Sequence, residues 1–546
     1  MRRFRELVSI LFVACLLLAS PAVASCAFQS VDSLRSDSYL KGVAAYRAGD
    51  YAAAVKWWKK SAKDGDAMAQ CNLGTCYASG KGVAQNYDKA FAWFRKSAVQ
   101  GNAMAQYNVG NCYLEGYGVQ PDAGEAIRWY GLAAEQGNVM AMTSLGKCYR
   151  CGEGVEADSV RAFEFLRRAA GKGFPVACNE VGDCFYYGIG IPQDSHEAFS
   201  WYRKAAEQGL DSAQYNLAVC YAYGDGVRRD DEMAFYWFTK SAVQGYVKAQ
   251  YSIADSYYNG IGVARDSLLA AMWYEKAASA GHTDAQYILA CCYYSGDGVK
   301  EDHCVATRWF ARAAANGDAD AMCRLAGCYY WGDGVLSDYD RAISLYEEAA
   351  QLGNAEALYC LAEYAVPDVN DENSAKLAFE RFTKAAEAGY LPAYSKVGDY
   401  HYFGLADSVN HKEAVRWYRM GAEAGDADAQ YRIAQCYYWG SGVTSNYKTA
   451  AKWCSMAALQ GCTDAQYFLG SMYYNGLGVS QDYLKAVEWY EKAVQEEHPA
   501  ALYDLGICYY YGRGVAKNRD RAIGLWRQSA EQGFEDAVKA LRDLRR

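Results

Sequence analysis

The sequence repeats itself with a period of 36 residues, and that period decides most of what the chain can be. Ala67-Met68-Ala69-Gln70 returns as Ala103-Met104-Ala105-Gln106. The offset continues to Pro499 without insertion or deletion, giving thirteen units over 67–534. A period in this range marks stacked supersecondary units rather than one globular core. With Ala67 counted as position 1, positions 3 and 24 are Ala in every unit, position 7 is always Leu, Val or Ile, and position 8 is always Gly or Ala. Position 27 is Trp in nine units and position 28 is aromatic in eleven.

These spacings predict two helices per unit. Positions 3, 7, 8, 10 and 11 form one apolar stripe and positions 24, 27, 28, 31 and 32 another, both with the i, i+3, i+4, i+7 recurrence of an amphipathic helix. Small residues allow the helices to approach, and Trp and Tyr fill the space between them. Glycines at positions 14 and 16, both kept in eleven units, supply the left-handed backbone that ends the first helix. Asp or Asn at position 20 in twelve units is the preferred N-cap of the second. Local signals and hydrophobic period agree, so the expected fold is all-α, a stack of αα-hairpins.

The unit A-x-A-Q-Y-x-L-G-x-C-Y-Y-x-G-x-G-V, followed by D-Y-x-x-A-x-x-W-Y-x-K-A-A, resembles the Sel-one-like repeat, a relative of the tetratricopeptide repeat. Ala249-Gln250-Tyr251, Gly260-Ile261-Gly262-Val263 and Trp273-Tyr274-Glu275-Lys276-Ala277-Ala278 carry the resemblance in one unit. It implies a right-handed superhelical solenoid whose first helices line an inner, concave face, and a non-catalytic role as a protein–protein adaptor. Residues 37–66 resemble one shorter tetratricopeptide-like hairpin, and 535–546 are expected to form a C-terminal capping helix. Units 355–390 and 391–426 are degenerate. The first reads Val366-Pro367-Asp368-Val369-Asn370-Asp371-Glu372 where the glycine pair belongs and has Arg381 for Trp; the second has Ala406 for the second glycine.

The N-terminus reads as a targeting signal. Arg2, Arg3 and Arg5 precede an apolar run over 7–19, too short to span a bilayer, and Ala22-Val23-Ala24 offers small residues for cleavage before Ser25. A second reading stays open: Val23-Ala24-Ser25-Cys26 resembles a bacterial lipobox, with Cys26 lipidated. Residues 1–24 are thus a signal peptide, or 1–25 a lipoprotein signal, and 25–36 a linker. The expected location is periplasmic or secreted, with the membrane-anchored lipoprotein as the alternative. The mature chain has no other long apolar run.

Catalytic motifs are lacking. Ser38/Lys41, Ser144/Lys147 and Ser445/Lys448 are Ser-x-x-Lys strings without the companion motifs of acyl-serine enzymes. No P-loop or His-Glu-x-x-His occurs, six His disfavour a multi-His metal centre, and a net charge of −9 argues against nucleic acid as a partner. No enzyme activity, cofactor or metal is expected. Nine of the 20 Cys fall at position 10. Matching positions in stacked helices are at least about 8–10 Å apart, too far for disulfides, so this ladder reads as small buried hydrophobes. Cys454 with Cys462 is the pair the spacing favours.

What remains is a surface. Positions 5, 9 and 12 of the first helix point away from its apolar stripe. Position 5 includes Tyr251, Tyr287, Tyr431 and Tyr467, and position 12 Tyr258, Tyr294, Tyr330, Tyr438, Tyr474 and Tyr510; Trp331 and Trp439 follow at position 13. Such a Tyr-lined groove, with variable polar residues at position 9, suits a protein segment or peptide. Stacking on the sugars of a cell-wall glycan such as peptidoglycan is the alternative, and packing between neighbouring helices competes with both at position 5.

Overall fold

The computed structural model describes residues 36–364 and 372–544; the N-terminal segment with Cys26 and the acidic segment after Tyr364 lie outside them. Twenty-nine α-helices and no strand occur among the described residues. The chain forms two compact units, Met1–His282 and Thr283–Arg546. The first opens with the hairpin of Asp37–Arg47 and Tyr51–Lys63 and continues through six hairpins of the 36-residue type. The second holds seven more and ends with the helix Glu535–Asp543. Each is an αα-hairpin solenoid, as the period predicts.

The same local devices build each hairpin. The position 20 side chain accepts from the N–H three residues on, as Asn86 does from Lys89 at 2.8 Å and Asp266 from Leu269 at 2.9 Å. Its own N–H returns to the position 11 carbonyl, Asn86 to Tyr77 at 2.9 Å and Asp482 to Tyr473 at 3.0 Å. Each such cap contributes about 1 kcal/mol.

The two loop glycines do different work. Gly80, with φ 71°, ends the helix Ala67–Ser79 in the left-handed region. Gly82 rests on the hairpin before it: a Cβ there would lie 2.2 Å from the Tyr51 carbonyl oxygen. The contact recurs, at 2.3 Å between Gly118 and Tyr87 and 2.0 Å between Gly478 and Tyr447. Ala406 occupies this position without a positive φ, since Glu497 is the one non-glycine residue with positive φ among those described.

Hairpins close by pairing a small residue with a large one. Position 28 is buried in all thirteen units, whether Phe94, Tyr130, Leu166 or Trp526. Its side chain lies flat on position 8. A Cβ on Gly110 would meet Tyr130 at 2.5 Å, and one on Gly398 would meet Tyr418 at 2.3 Å. Position 27 differs from the expected stripe. Its Trp residues are half-buried at the stripe's edge, and in six of the nine a cation one turn on covers the indole: Lys204 lies 3.9 Å from the Trp201 ring and Lys276 3.8 Å from that of Trp273.

Successive hairpins are joined by a buried amide. Gln106 Nε2 donates to the Ala98 carbonyl of the preceding hairpin at 3.2 Å, and its Oε1 accepts from Gln136 at 2.7 Å. Where position 34 has no amide to give, at Ala280 and Glu496, the Gln250 and Gln466 oxygens are left without a partner. The degenerate unit 355–390 keeps the core: Ala357, Ala378 and Phe382 are buried, and the helices Ala355–Tyr364 and Glu372–Glu387 hold their phase. Arg381, in the usual Trp position, donates to the Leu361 carbonyl at 3.1 Å. All nine position 10 thiols, Cys76 to Cys508, are buried, and burial pushes Cys76 and Cys184 up to about 11.

Candidate functional site: an aromatic row on the first helices

The position 5 tyrosines are half-buried and packed. Tyr251 stacks on His282 at 4.6 Å, and Tyr467 on His498 at 4.7 Å. Each also meets the position 28 ring of its own hairpin: Tyr251 meets Tyr274 at 5.9 Å, Tyr287 meets Phe310 at 5.9 Å, and Tyr467 meets Tyr490 at 6.0 Å. Tyr431 contacts Phe468 of the next first helix at 6.0 Å. Burial raises the Tyr467 hydroxyl to about 12, helped by Asp504, which accepts its hydrogen bond at 3.1 Å.

At four of its tyrosines, position 12 bridges hairpins. The Tyr294 hydroxyl donates to Asp333 of the next loop at 2.7 Å, while its ring stacks on His303, itself bonded to Asp333. Tyr474 bonds Arg513 at the equivalent place. Tyr330 stacks on Tyr364 at 4.5 Å, Tyr438 packs on Phe468 at 4.9 Å, and Tyr510 on Trp526 at 5.3 Å. Tyr258 lies 6.4 Å from Tyr274. Tyr294, Tyr330, Tyr438 and Tyr474 thus join neighbouring repeats, whereas Tyr258 and Tyr510 meet the position 28 ring of their own hairpin; Tyr294 is exposed.

Position 9, read from the sequence as variable groove lining, has an internal partner. When position 28 is Tyr, its hydroxyl is buried and needs an acceptor. Asn111 serves Tyr130 at 2.7 Å, Asp183 serves Tyr202 at 2.7 Å, Asp255 serves Tyr274 at 2.9 Å, and Asp399 serves Tyr418 at 2.6 Å. Asp183 also neighbours Glu180, which Lys147 and Arg150 clamp at 2.8 and 2.7 Å. Burial, reinforced by the Glu180 charge, raises the Asp183 carboxyl to about 6.

The aromatic surface that is left free is at position 13. Trp331 is 70% exposed and Trp439 66%; Tyr187, Tyr223, Phe403 and Tyr511 occupy the same position and are exposed as well. Sequence reasoning named only the two Trp, although the other four recur at the same phase. In the second compact unit, Phe403 and Trp439 flank a cleft of about 220 Å³ also lined by Tyr402, Tyr418, Arg432, Gln435 and Cys436. Asp399 holds Arg432 from below, through Nε at 3.2 Å and Nη2 at 3.2 Å. The cleft therefore offers two flat apolar walls and a floor that carries amide and guanidinium donors.

The Ser-x-x-Lys strings do not assemble a nucleophile. Lys41 pairs with Asp37 at 2.6 Å and Lys147 with Glu180, and the Ser445 hydroxyl donates to the Tyr438 carbonyl at 3.1 Å. Cys454 Sγ donates to the Ala465 carbonyl at 3.2 Å, so that thiol is directed at the backbone.

The Sel1 repeat model matches thirteen segments: 36–66, the eight consecutive units 67–102, 103–138, 139–174, 175–210, 211–246, 247–282, 283–318 and 319–354, and, after the unmatched 355–390, the four units of 391–534. The chain belongs to the Sel1 repeat family. Sel1 repeats generally form non-catalytic scaffolds for protein interaction. A protective antigen of uropathogenic Escherichia coli strains displaying an SLR fold is 31% identical, with 90% of this chain and 97% of that one covered and a TM-score of 0.57. A Sel1 repeat protein from Oxalobacter formigenes is 35% identical over 56% of this chain and 89% of that one, with a TM-score of 0.44. No curated protein sequence matches this Sel1 repeat chain. No helix among its described residues is long and apolar enough to cross a membrane.

Proposed function

We propose that this Sel1 repeat protein is an exported scaffold that binds a protein segment along its first helices, with the position 13 rings as anchors. The observation that carries the reading is the exposure of large aromatics at one repeat phase, two in the first compact unit and four in the second, while the tyrosines at positions 5 and 12 are occupied in packing. Clustered exposed aromatics mark interaction surfaces, and Trp and Tyr carry a large share of interface energy. Repeats held in register present such anchors with little ordering cost on binding. The cleft between Phe403 and Trp439 suits a side chain that is flat or apolar and carries an acceptor for Arg432 or Gln435. Export is supported by the N-terminal signal sequence, and the 31% identical relative is itself a protective antigen.

The test is a pull-down from an envelope extract with the wild-type chain and with Phe403→Ala/Trp439→Ala. A protein partner recovered by the first and lost by the second, with circular dichroism unchanged, is the expected result. Equal recovery by both would overturn the assignment of the cleft. Co-sedimentation with purified peptidoglycan that the double variant loses would replace the protein partner with a glycan. Mass spectrometry of the mature N-terminus separates cleavage before Ser25 from lipidation of Cys26.

A further inference from the structure

Neighbouring first helices touch in a fixed register: position 5 of one unit meets position 6 of the next, 37 residues on. Asn179 Oδ1 accepts from Asn216 Nδ2 at 3.0 Å, Tyr467 donates to Asp504 at 3.1 Å, and Asn108 Nδ2 lies 4.0 Å from Cys71 Sγ. At one place in the thirteen units the sequence puts cysteine at both positions, Cys323 and Cys360. Both lie in the second compact unit, where Cys360 packs against the buried cluster that contains Cys323. Their side chains are hydrogen-bonded to each other, and Cys360 is also bonded to the Tyr346 hydroxyl. Cys323 is 4% exposed and Cys360 half-buried. The two donors that reach the Cys360 sulfur hold its pKa below the usual thiol value, whereas donation to that sulfur and burial raise Cys323. Accessibility and thiolate character thus fall on the same member of the pair.

We propose that Cys323 and Cys360 form a reversible disulfide that staples the repeat 319–354 to the degenerate unit 355–390, in exchange with a small-molecule or protein disulfide. Cys360 gives its proton to solvent, and its sulfur attacks one sulfur of the oxidant. The first oxidant thiolate leaves and is protonated, and a mixed disulfide remains on Cys360. Cys323 then gives up its proton, attacks the Cys360 sulfur and expels the second oxidant thiolate. Two protein thiols are oxidised, and the oxidant's disulfide is reduced to two thiols. The staple falls on the unit whose sequence lacks the glycine pair, where Asn370 stands in place of the glycine that elsewhere rests on the preceding hairpin.

The test is to expose the reduced full chain to glutathione disulfide, block free thiols by alkylation and digest with trypsin. The expected product is a disulfide linking peptides 313–324 and 342–376, each of which contains a single cysteine. Recovery of both peptides alkylated, or each carrying glutathione, would overturn the proposal; this measurement on the wild-type chain needs no variant to fold. The order of attack is read from two variants. Cys323→Ser is expected to retain glutathione on Cys360, and Cys360→Ser to leave Cys323 unmodified. The reverse pattern would overturn the assignment of Cys360 as the attacking thiol.

Discussion

Tyr130 and Tyr223 are the same amino acid in the same kind of hairpin. The first, at position 28, is fully buried and donates to Asn111; the second, at position 13, is 77% exposed. Residue type therefore says little about the role of an aromatic here. What decides it is the residue across the hairpin. Tyr130 faces Gly110 at position 8 and the Asn111 acceptor at position 9, a seat shaped for a ring with a hydroxyl. Position 13 is the last residue of its helix before the loop and has no such seat.

The contrast can be broken or sharpened by experiment. Tyr130→Ala should have the largest effect, a loss of about 3–5 kcal/mol from the cavity and the stranded Asn111 partner. It is read by hydrogen exchange across 103–174, because repeat arrays lose structure locally. The acid that seats the equivalent Tyr202 should make stability depend on pH. Asp183 has a folded value of about 6, above the ordinary carboxyl value of 3.8, so the folded chain binds the extra proton. Its stabilising contribution is complete below about pH 4 and is lost as the pH rises to about 6. Asp183→Asn should remove a stability change on the order of 3 kcal/mol over that window, measured by urea unfolding at several pH values.

A smaller effect is expected for Gly110→Ala. Overpacking against the Tyr130 ring costs about 1–3 kcal/mol, and the gain in helix propensity returns about 1. The net loss is about 1 kcal/mol; Ala218→Gly should also lose about 1 kcal/mol, there from helix propensity and not from overpacking, because the methyl group is already accommodated. Tyr223→Ala should be the mildest, within about 0.5 kcal/mol in thermal or urea unfolding. A loss comparable to that of Tyr130→Ala would show that position 13 is structural and would remove the basis for the binding row.

The helical pairs, the caps and the glycine turns were legible in the sequence because each rests on neighbours within one or two turns. The site was less so. Position 5 looked like a groove wall because its stripe points away from the Ala ladder; the rings that cover it, such as His282 and His498, come from the end of the same unit. Position 12 was assigned to the groove, yet Tyr294 and Tyr474 reach 39 residues on to Asp333 and Arg513. A signal for position 9 was available: Asn111, Asp183, Asp255, Asp399 and Ser471 occur at five of the six units where position 28 is Tyr, Gly327 opposite Tyr346 being the exception, whereas Val219 and Ile507 face Phe238 and Trp526. The Cys323–Cys360 contact was hidden for another reason. Comparing like positions between units misses an offset of one, and only the inclination of neighbouring helices brings 5 against 6.

The close seating of Gly82 on Tyr51, repeated from loop to loop, has a bearing on how such chains change in length. A tile that must abut the tile before it tolerates no extra residue on the joining edge. Growth and shrinkage are then quantised: recombination can add or delete a whole 36-residue copy, while a fractional gain breaks the seam. Genomic variants of this chain should differ by complete tiles, and the number of aromatic anchors offered to a partner should change by at most one per tile.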